Sequence, residues 1–155
     1  TEFQATIGEN QLSKLNNFNN IRNKLSNYLI KNLKNLKGIT LPKLKIKNTH
    51  IVHHLLCLQY DADVTGVSKE IYLKALAKEG VVLSVGYQHT LYAIFYAFMK
   101  KGFNYKSGLC PVAEETIKKS IWINQMRPPS NLKDMKDIVT AFKKVDSNIS
   151  KLKHL

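Results

Sequence analysis

The first 36 residues carry the pattern that most constrains the fold of this chain. They contain no proline, and their apolar side chains recur mostly at intervals of three and four residues, the period of one helix face. This pattern predicts one long amphipathic helix, or two helices with a break near Gly8. The apolar positions are Phe3, Ile7, Leu12, Leu15, Phe18, Ile21, Leu25, Tyr28 or Leu29, Leu33 and Leu36. The polar face is rich in asparagine, a weak helix former, so the helix requires a partner surface for its apolar face.

The sequence of residues 37–87 predicts a short extended segment at 39–42 after the long helix, followed by two strands separated by a helix. Residues 50–60 are almost wholly apolar, which indicates a strand buried on both faces and therefore central in a sheet. Ser68 is predicted to cap the start of a helix, and Gly80 is predicted to end it. Residues 81–87 then supply the second strand.

The second half of the chain continues the alternation of helices and strands. Pro111 opens a helix at a position where its missing N–H costs nothing, and residues 121–123 form a short third strand. Asn131 caps a final amphipathic helix that runs to about Asn148, whereas residues 91–99 fit either a helix or a loop. The sequence therefore predicts an α+β fold, with a long helix over residues 1–36 and an α+β domain of about three strands over residues 37–155.

The charge of the chain is strongly basic, but its distribution does not favour specific nucleic-acid binding. Lys and Arg number 24 against 11 Asp and Glu, which gives a formal net charge of +13. Only Arg22 and Arg127 are arginines, whereas specific base readers and phosphate clamps rely on the bidentate guanidinium. The lysines are scattered over every predicted helix, which is typical of a solvated surface. A basic nucleic-acid-binding domain remains the less favoured reading.

The cysteines and the apolar runs favour a reduced protein of the cytoplasm. Cys57 and Cys110 stand in no CxxC spacing, so neither a disulfide framework nor a zinc knuckle is predicted. The longest apolar run has nine residues, about half of what a membrane-spanning helix needs. The chain opens on Thr1 without a signal-peptide pattern, as if it began within a longer sequence. We therefore expect cytoplasmic localisation and no association with a membrane.

Three histidines lie close together, but their spacing does not predict a metal site. On a strand, His50 and His54 share one face while His53 points to the other, so three ligands cannot converge from this segment alone. The glycines match neither the GxGxxG nor the P-loop spacing. Cys110 precedes a helix start without a histidine in the same segment, and we interpret it as a packing residue.

One stretch has the composition of a site for a polar ligand. Tyr87, His89 and Tyr92 follow a predicted strand end, where loops often carry binding residues on a rigid scaffold. The imidazole of a histidine titrates near neutral pH. The alternative is a surface turn with two half-buried tyrosines, and composition alone favours that alternative.

Three segments, in order, resemble the PLP-dependent sugar aminotransferases of the DegT/StrS type. In that family a "TE-hydrophobic-QAAIG…QL" run begins the long helix that joins the cofactor domain to the small C-terminal domain. The later segments are similar to "SRE…EGI…GY..PLY" and "CP-AE…SLWLP…DMDDIV". The matching residues here are TEFQATIG at 1–8, SKE at 68–70, GYQHTLY at 86–92, CPVAE at 110–114, SIWI at 120–123 and DMKDIV at 134–139. The resemblance spans essentially the whole chain.

This resemblance implies a fold-type I enzyme of which the chain contains only the C-terminal small domain. Such enzymes are homodimers that use pyridoxal phosphate (PLP) to move an amino group onto a keto-sugar or keto-cyclitol. The Schiff-base lysine, the carboxylate for the pyridine nitrogen and the phosphate-binding turn lie in the large domain, upstream of Thr1. The resemblance thus places no catalytic, cofactor-binding or metal-binding residue in this chain, and we expect the isolated chain to be inactive and to bind no PLP.

The resemblance also assigns three substrate-side positions. Tyr87, and with it His89 and Tyr92, correspond to the segment that reaches toward the substrate in the family. Thr90 stands where the family has a proline, which affects the expected geometry of this loop. The alternative function is a stand-alone dimeric binding module that retains the fold without the chemistry.

Overall fold

The structure is a computed structural model that describes residues 1–42, 47, 49, 51–87, 90 and 108–154. The α-helices in this part are α1 (Glu2–Leu33), α2 (Ala62–Thr65), α3 (Lys69–Lys78), α4 (Pro111–Lys119) and α5 (Leu132–Ser147). The strands are β1 (Ile39–Thr40), β2 (Leu56–Tyr60) and β3 (Ser120–Ile123), and a 3₁₀ turn covers Ile149–His154. The chain therefore has the α+β fold that the sequence predicts.

Helix α1 confirms the long amphipathic helix and is continuous through Gly8. Thr1 caps it, because its hydroxyl accepts from the N–H of Gln4 while the Gln4 side chain accepts from the Thr1 amine. The helix ends at Leu33 rather than Leu36, since the chain turns there and the Leu36 N–H donates to the Leu33 carbonyl. The C-terminal third of α1 thus enters the domain, and the turn delivers the chain to β1.

The sheet is antiparallel in the order β1–β2–β3, which confirms the central place of β2. The prediction that β2 is buried on both faces is wrong: Leu56, Leu58 and Tyr60 are buried, but Cys57 is exposed and Gln59 half-buried. The strand is also shorter than residues 50–60. The side chains of β2 thus alternate between a face that the core covers and the opposite, more exposed face.

The core lies between that covered face and helices α1, α3 and α5. Tyr60 stacks on Tyr72 with ring centroids 4.3 Å apart, and Phe142 packs edge-on against Tyr72 at 6.3 Å. The Tyr60 hydroxyl is satisfied by Thr65 Oγ1 at 2.7 Å and by the Val67 carbonyl at 2.9 Å. Burial raises the pKa of both tyrosines, as expected for phenols removed from water.

The strand predicted at residues 81–87 is wrong, because this segment forms only an isolated bridge between Ser84 and Trp122. The helices predicted to start at Ser68, Pro111 and Asn131 are confirmed, and the strand at 121–123 is confirmed as β3. The stretch 91–99, for which helix and loop were both open, lies outside the described residues.

The N-terminal half of α1 has no packing partner among the described residues. Residues 1–17 are all exposed, whereas Leu25, Leu29 and Leu33 are buried in the core. The exposed fraction of the apolar side chains is 75% for Phe3, 48% for Ile7, 68% for Leu12 and 44% for Leu15. The apolar side chains in this half of the helix are therefore left uncovered by the described residues.

Candidate functional site

The segment that ends at Tyr87 is anchored to β3 through its backbone. The Ser84 N–H donates to the Trp122 carbonyl at 3.1 Å, and the Trp122 N–H donates to the Ser84 carbonyl at 2.7 Å. The Ser84 hydroxyl then accepts from the N–H of Gly86 at 3.2 Å. This serine thus both docks the segment on the sheet and fixes the turn that presents Tyr87.

Gly86 lets the backbone lie directly on the indole of Trp122. Its φ is +72°, in the left-handed region, and a Cβ at this position would lie 2.7 Å from a ring carbon of Trp122. The ring of Tyr87 stands edge-on to that indole, with centroids 5.0 Å apart and an interplanar angle of 89°. The close approach of the backbone therefore sets the orientation of Tyr87.

Tyr87 is 70% exposed, so the interpretation of this segment as a turn with half-buried tyrosines is wrong for this residue. Its edge contact with Trp122 holds the ring while leaving most of its surface free for a ligand. The indole Nε1 of Trp122 is buried and has no hydrogen-bond partner among the described residues. Tyr87 and Trp122 together thus present an aromatic surface beside β3.

A groove of about 300 Å³ runs beside Tyr87, and we call it the Tyr87 groove. Its lining residues come from α3, the segment before Tyr87 and α4: Lys69, Glu70, Val85, Tyr87, Ile117 and Lys118. Lys69 is half-buried, and desolvation lowers the pKa of its amine against the opposing effect of the Glu70 carboxylate. An aromatic ring and two ammonium groups are suited to a polar ligand that carries negative charge.

The carboxylate of Glu70 is engaged within its own helix start. Hydrogen bonds from its own backbone N–H and from the Ser68 hydroxyl lower its pKa. Ser68 in turn accepts from the Ile71 N–H as the N-cap of α3. Glu70 therefore stabilises this end of α3 rather than offering a free base to the groove.

An ion-pair network fixes the end of α4 next to the groove. Lys119 Nζ lies 2.8 Å from Asp61 Oδ2 and 3.0 Å from Glu115 Oε1. The hydrogen bond from Lys119 lowers the pKa of the Asp61 carboxyl, and the same contacts raise the pKa of the Lys119 amine. Asp61 also caps α2, so the network ties the end of β2 to α4.

Tyr87 is the one predicted substrate residue whose placement the structure describes. His89 and Tyr92 lie outside the described residues, as does His50. His53 is half-buried, which lowers its pKa, and His54 is exposed. Within the described ranges, no three His, Cys, Asp or Glu side chains come together in a way that would hold a metal ion.

The interpretation of Cys110 as a packing residue is wrong, because its side chain is exposed just before α4. The start of this helix is instead organised by Glu114, whose carboxylate accepts from the Gly108 N–H at 2.8 Å and from the Cys110 N–H at 3.4 Å. A carboxylate in the first turn is also favoured by the helix dipole.

Sequence reasoning missed the contact of Gly86 with Trp122 and the place of Lys69 and Lys118 beside Tyr87. These residues are far apart in the sequence, and no local pattern joins them. Trp122 is the single tryptophan of the chain, which was the one available signal. Among the described residues, no helix combines the length and the apolar character needed to cross a bilayer.

Comparisons with known proteins give consistent matches. The model of the DegT/DnrJ/EryC1/StrS aminotransferase family matches residues 1–143. The uncharacterized protein MJ1066 of Methanocaldococcus jannaschii is 29% identical over 149 residues, which cover 95% of this chain and 37% of that protein.

Solved aminotransferases show the same fold at low sequence identity. The aminotransferase from Psychrobacter cryohalolentis superimposes with a TM-score of 0.79 at 21% identity, covering 96% of this chain and 39% of that one. The aminotransferase TlmJ from Streptoalloteichus hindustanus gives 0.70 at 18% identity, with 96% and 36% covered. The PLP form of Spr1654 from Streptococcus pneumoniae, a provisionally named sugar aminotransferase, gives 0.75 at 18% identity, again with 96% and 36% covered. The chain thus spans well under half the length of the proteins it matches.

Proposed function

Since the chain belongs to the DegT/DnrJ/EryC1/StrS aminotransferase family, we propose that it is the C-terminal part of a PLP-dependent aminotransferase acting on a keto-sugar or keto-cyclitol. The observation that carries this proposal is the family match over residues 1–143 of a chain that spans 36–39% of the solved aminotransferases it superimposes on. The remainder of such a protein would supply the cofactor domain.

The exposed half of α1 supports association with a larger domain. Its apolar face lies open over residues 1–17, although the same helix is firmly anchored in the core by Leu25, Leu29 and Leu33. Phe3, Ile7, Leu12 and Leu15 are exposed in this half of the helix, and four large apolar side chains are costly to leave in water, so a partner surface is expected there. We propose that the cofactor domain of the same protein covers this face and that the complete protein is a homodimer.

The Tyr87 groove does not fit PLP itself. The cofactor, when bound, supplies the electron sink for moving the amino group, and it requires a neutral lysine amine and a free carboxylate for the pyridine nitrogen. Here Glu70 is engaged by Ser68 and by its own N–H, and the described residues that line the groove include no second carboxylate for the pyridine nitrogen. We therefore assign no step of the chemistry to these residues, and propose that they bind and orient the substrate.

We propose Tyr87 as a substrate contact, with His89 and Tyr92 in the same loop. In the complete protein, Tyr87→Ala is expected to raise KM by about tenfold with a smaller change in kcat, because it removes a ring that binds without touching the reacting atoms. Tyr87→Phe keeps the ring and its contact with Trp122, and is expected to lose only a few-fold. Steady-state kinetics on a keto-sugar, with glutamate as amino donor, measures KM and kcat for both variants. A fall in kcat with KM unchanged would contradict the proposed role of Tyr87.

The location of the cofactor tests the proposed function directly. The complete protein is loaded with PLP, treated with borohydride and digested, and the peptide that carries the trapped pyridoxyl group is identified by mass spectrometry. We expect one modified lysine outside the 155 residues described by this sequence, and no stoichiometric trapping when these residues are expressed alone. Stoichiometric trapping on a lysine of this chain, or no trapping in the complete protein, would refute the proposal.

Failure to trap PLP in the complete protein would favour a different function. If the protein retains no PLP and these residues form a folded dimer through the exposed half of α1, the stand-alone binding module becomes the better account. Light scattering on the same samples separates that dimer from an aggregate.

A further inference from the structure

An open trough lies between α3, α5 and the 3₁₀ turn, on residues that take no part in the Tyr87 groove. Its volume is about 490 Å³, within the range of small-molecule sites. Its apolar floor is formed by Ile71 and Ala75 from α3, Val145 from α5 and Leu152 from the 3₁₀ turn. We call it the α3–α5 trough.

The rim of the trough is cationic. Lys74 and Lys78 from α3 and Lys144 from α5 line it, with Glu79 as the single carboxylate among the lining residues. Glu79 Oε2 is already paired with Lys144 Nζ at 2.6 Å, whereas Lys74 and Lys78 are exposed and form no ion pair with any described residue.

The remaining polar lining residue adds no acceptor. The Asn148 amide donates to the Lys144 carbonyl at 2.9 Å, and its Oδ1 accepts from Lys151 Nζ at 2.8 Å. Its side chain is thus committed to the end of α5. The polar groups left at the rim are the ammonium groups of Lys74, which also attracts the Glu70 carboxylate, and Lys78.

From this charge complementarity we propose that the α3–α5 trough binds a small amphiphilic anion, with its apolar chain on the floor and its single anionic head between Lys74 and Lys78. These two lysines are four residues apart and so lie one helical turn from each other on α3, which allows one head group to contact both. The apolar floor supplies affinity through burial, and the lysines supply the preference for a charged head. This binding site is independent of aminotransferase activity.

The test uses the expressed protein that contains this chain, titrated by calorimetry with decanoate below its micellar concentration, and in parallel with decan-1-ol as the neutral probe of the same length. Saturable one-to-one binding of decanoate is expected, with decan-1-ol weaker by about tenfold. Absence of saturable decanoate binding would overturn the proposal.

Two variants separate the trough from general attraction to a basic protein. Lys74→Glu with Lys78→Glu is expected to weaken decanoate binding by about tenfold or more and to leave decan-1-ol unchanged. The matched control, Lys136→Glu with Lys143→Glu, changes the net charge equally at exposed α5 positions that do not line the trough. Equal weakening by both pairs would mean nonspecific attraction to the net charge of +13 and would overturn the proposal.

A third variant tests the floor independently of charge. Ala75→Trp fills the trough at a half-buried position of α3 and is expected to weaken decanoate and decan-1-ol alike, by about tenfold. Unchanged binding in this variant, with circular dichroism showing an intact fold, would place the anion elsewhere and refute the assignment.

Discussion

Replacing Leu29 with alanine is expected to lower the free energy of unfolding by about 3 kcal/mol, within the range of roughly 2–5 kcal/mol for a fully buried leucine. Leu29 is 0% exposed and belongs to the core that α1 shares with α3, α5 and the sheet. The substitution removes apolar contacts and leaves a cavity that rigid neighbours fill only in part. For a chain of this size the melting temperature should fall by roughly 6–12 °C, as measured by circular dichroism during heating.

The matched control is Leu12→Ala, the same change in the same helix. Leu12 is 68% exposed, so the substitution should alter the stability of the isolated chain by less than about 0.5 kcal/mol. Both positions are interior to α1, which makes the change in helix propensity equal and small. Comparable losses at both sites would contradict the structure and would mean that another molecule already covers the N-terminal half of α1 in solution.

The two leucines also show what the sequence can and cannot predict about α1. The three-to-four-residue spacing predicts the helix correctly, because that period is local to the helix. It does not distinguish Leu12 from Leu29, since periodicity reports that a face is apolar and not which molecule covers it. Only the tertiary structure shows that the chain buries one half of the face and exposes the other.

The helix starts are predicted correctly because the contacts that stabilise them join residues close together in the sequence. The Ser68 hydroxyl accepts from the N–H of Ile71, and Asn131 forms a capping box with Asp134. Pro111 occupies the first position of α4, where it sacrifices no hydrogen bond. Each contact spans at most three residues, so the residue types alone carry the information.

The strand predicted at residues 81–87 failed for a reason that lies elsewhere in the chain. A ladder beside β3 needs several successive pairs, but only Ser84 pairs with Trp122. The carbonyl of Val82 accepts from the Gln125 side chain at 2.9 Å, and Gly86 leaves the extended region with a φ of +72°. Val81 and Leu83 pack against the core without forming a strand, and Val82 is exposed.

The candidate site was only partly predictable, because the contacts that shape it join residues far apart in the sequence. The order of motifs identified the family and pointed to Tyr87, but the groove beside it depends on Lys69 and Lys118, which two different helices bring together. The substrate-binding role of Tyr87, His89 and Tyr92 remains a prediction. The ring of Tyr87 stands edge-on to Trp122, a residue 35 positions later, and remains exposed there. No pattern in either segment encodes that contact.

Replacing Gly86 with alanine should disrupt the contact with Trp122, with an expected loss of about 2–5 kcal/mol in the free energy of unfolding. An L side chain in the left-handed region costs ~1–2 kcal/mol, and overlap of its Cβ with a packed ring costs a further ~1–3 kcal/mol. The added Cβ would lie 2.7 Å from the Trp122 ring, so either the segment or the indole must move. Because Trp122 is the single tryptophan, urea unfolding followed by its fluorescence reports both stability and exposure to acrylamide quenching.

Gly80→Ala is the control that separates backbone strain from overlap. Gly80 has a φ of +86°, but an added Cβ there meets no atom within 4 Å, so only the conformational cost of ~1–2 kcal/mol is expected. Quenching of Trp122 should rise in the Gly86 variant and stay unchanged in the Gly80 variant. Equal stability losses with unchanged quenching in both would show that Gly86 does not rest on the indole, and the orientation of Tyr87 toward its groove would then lack its structural basis.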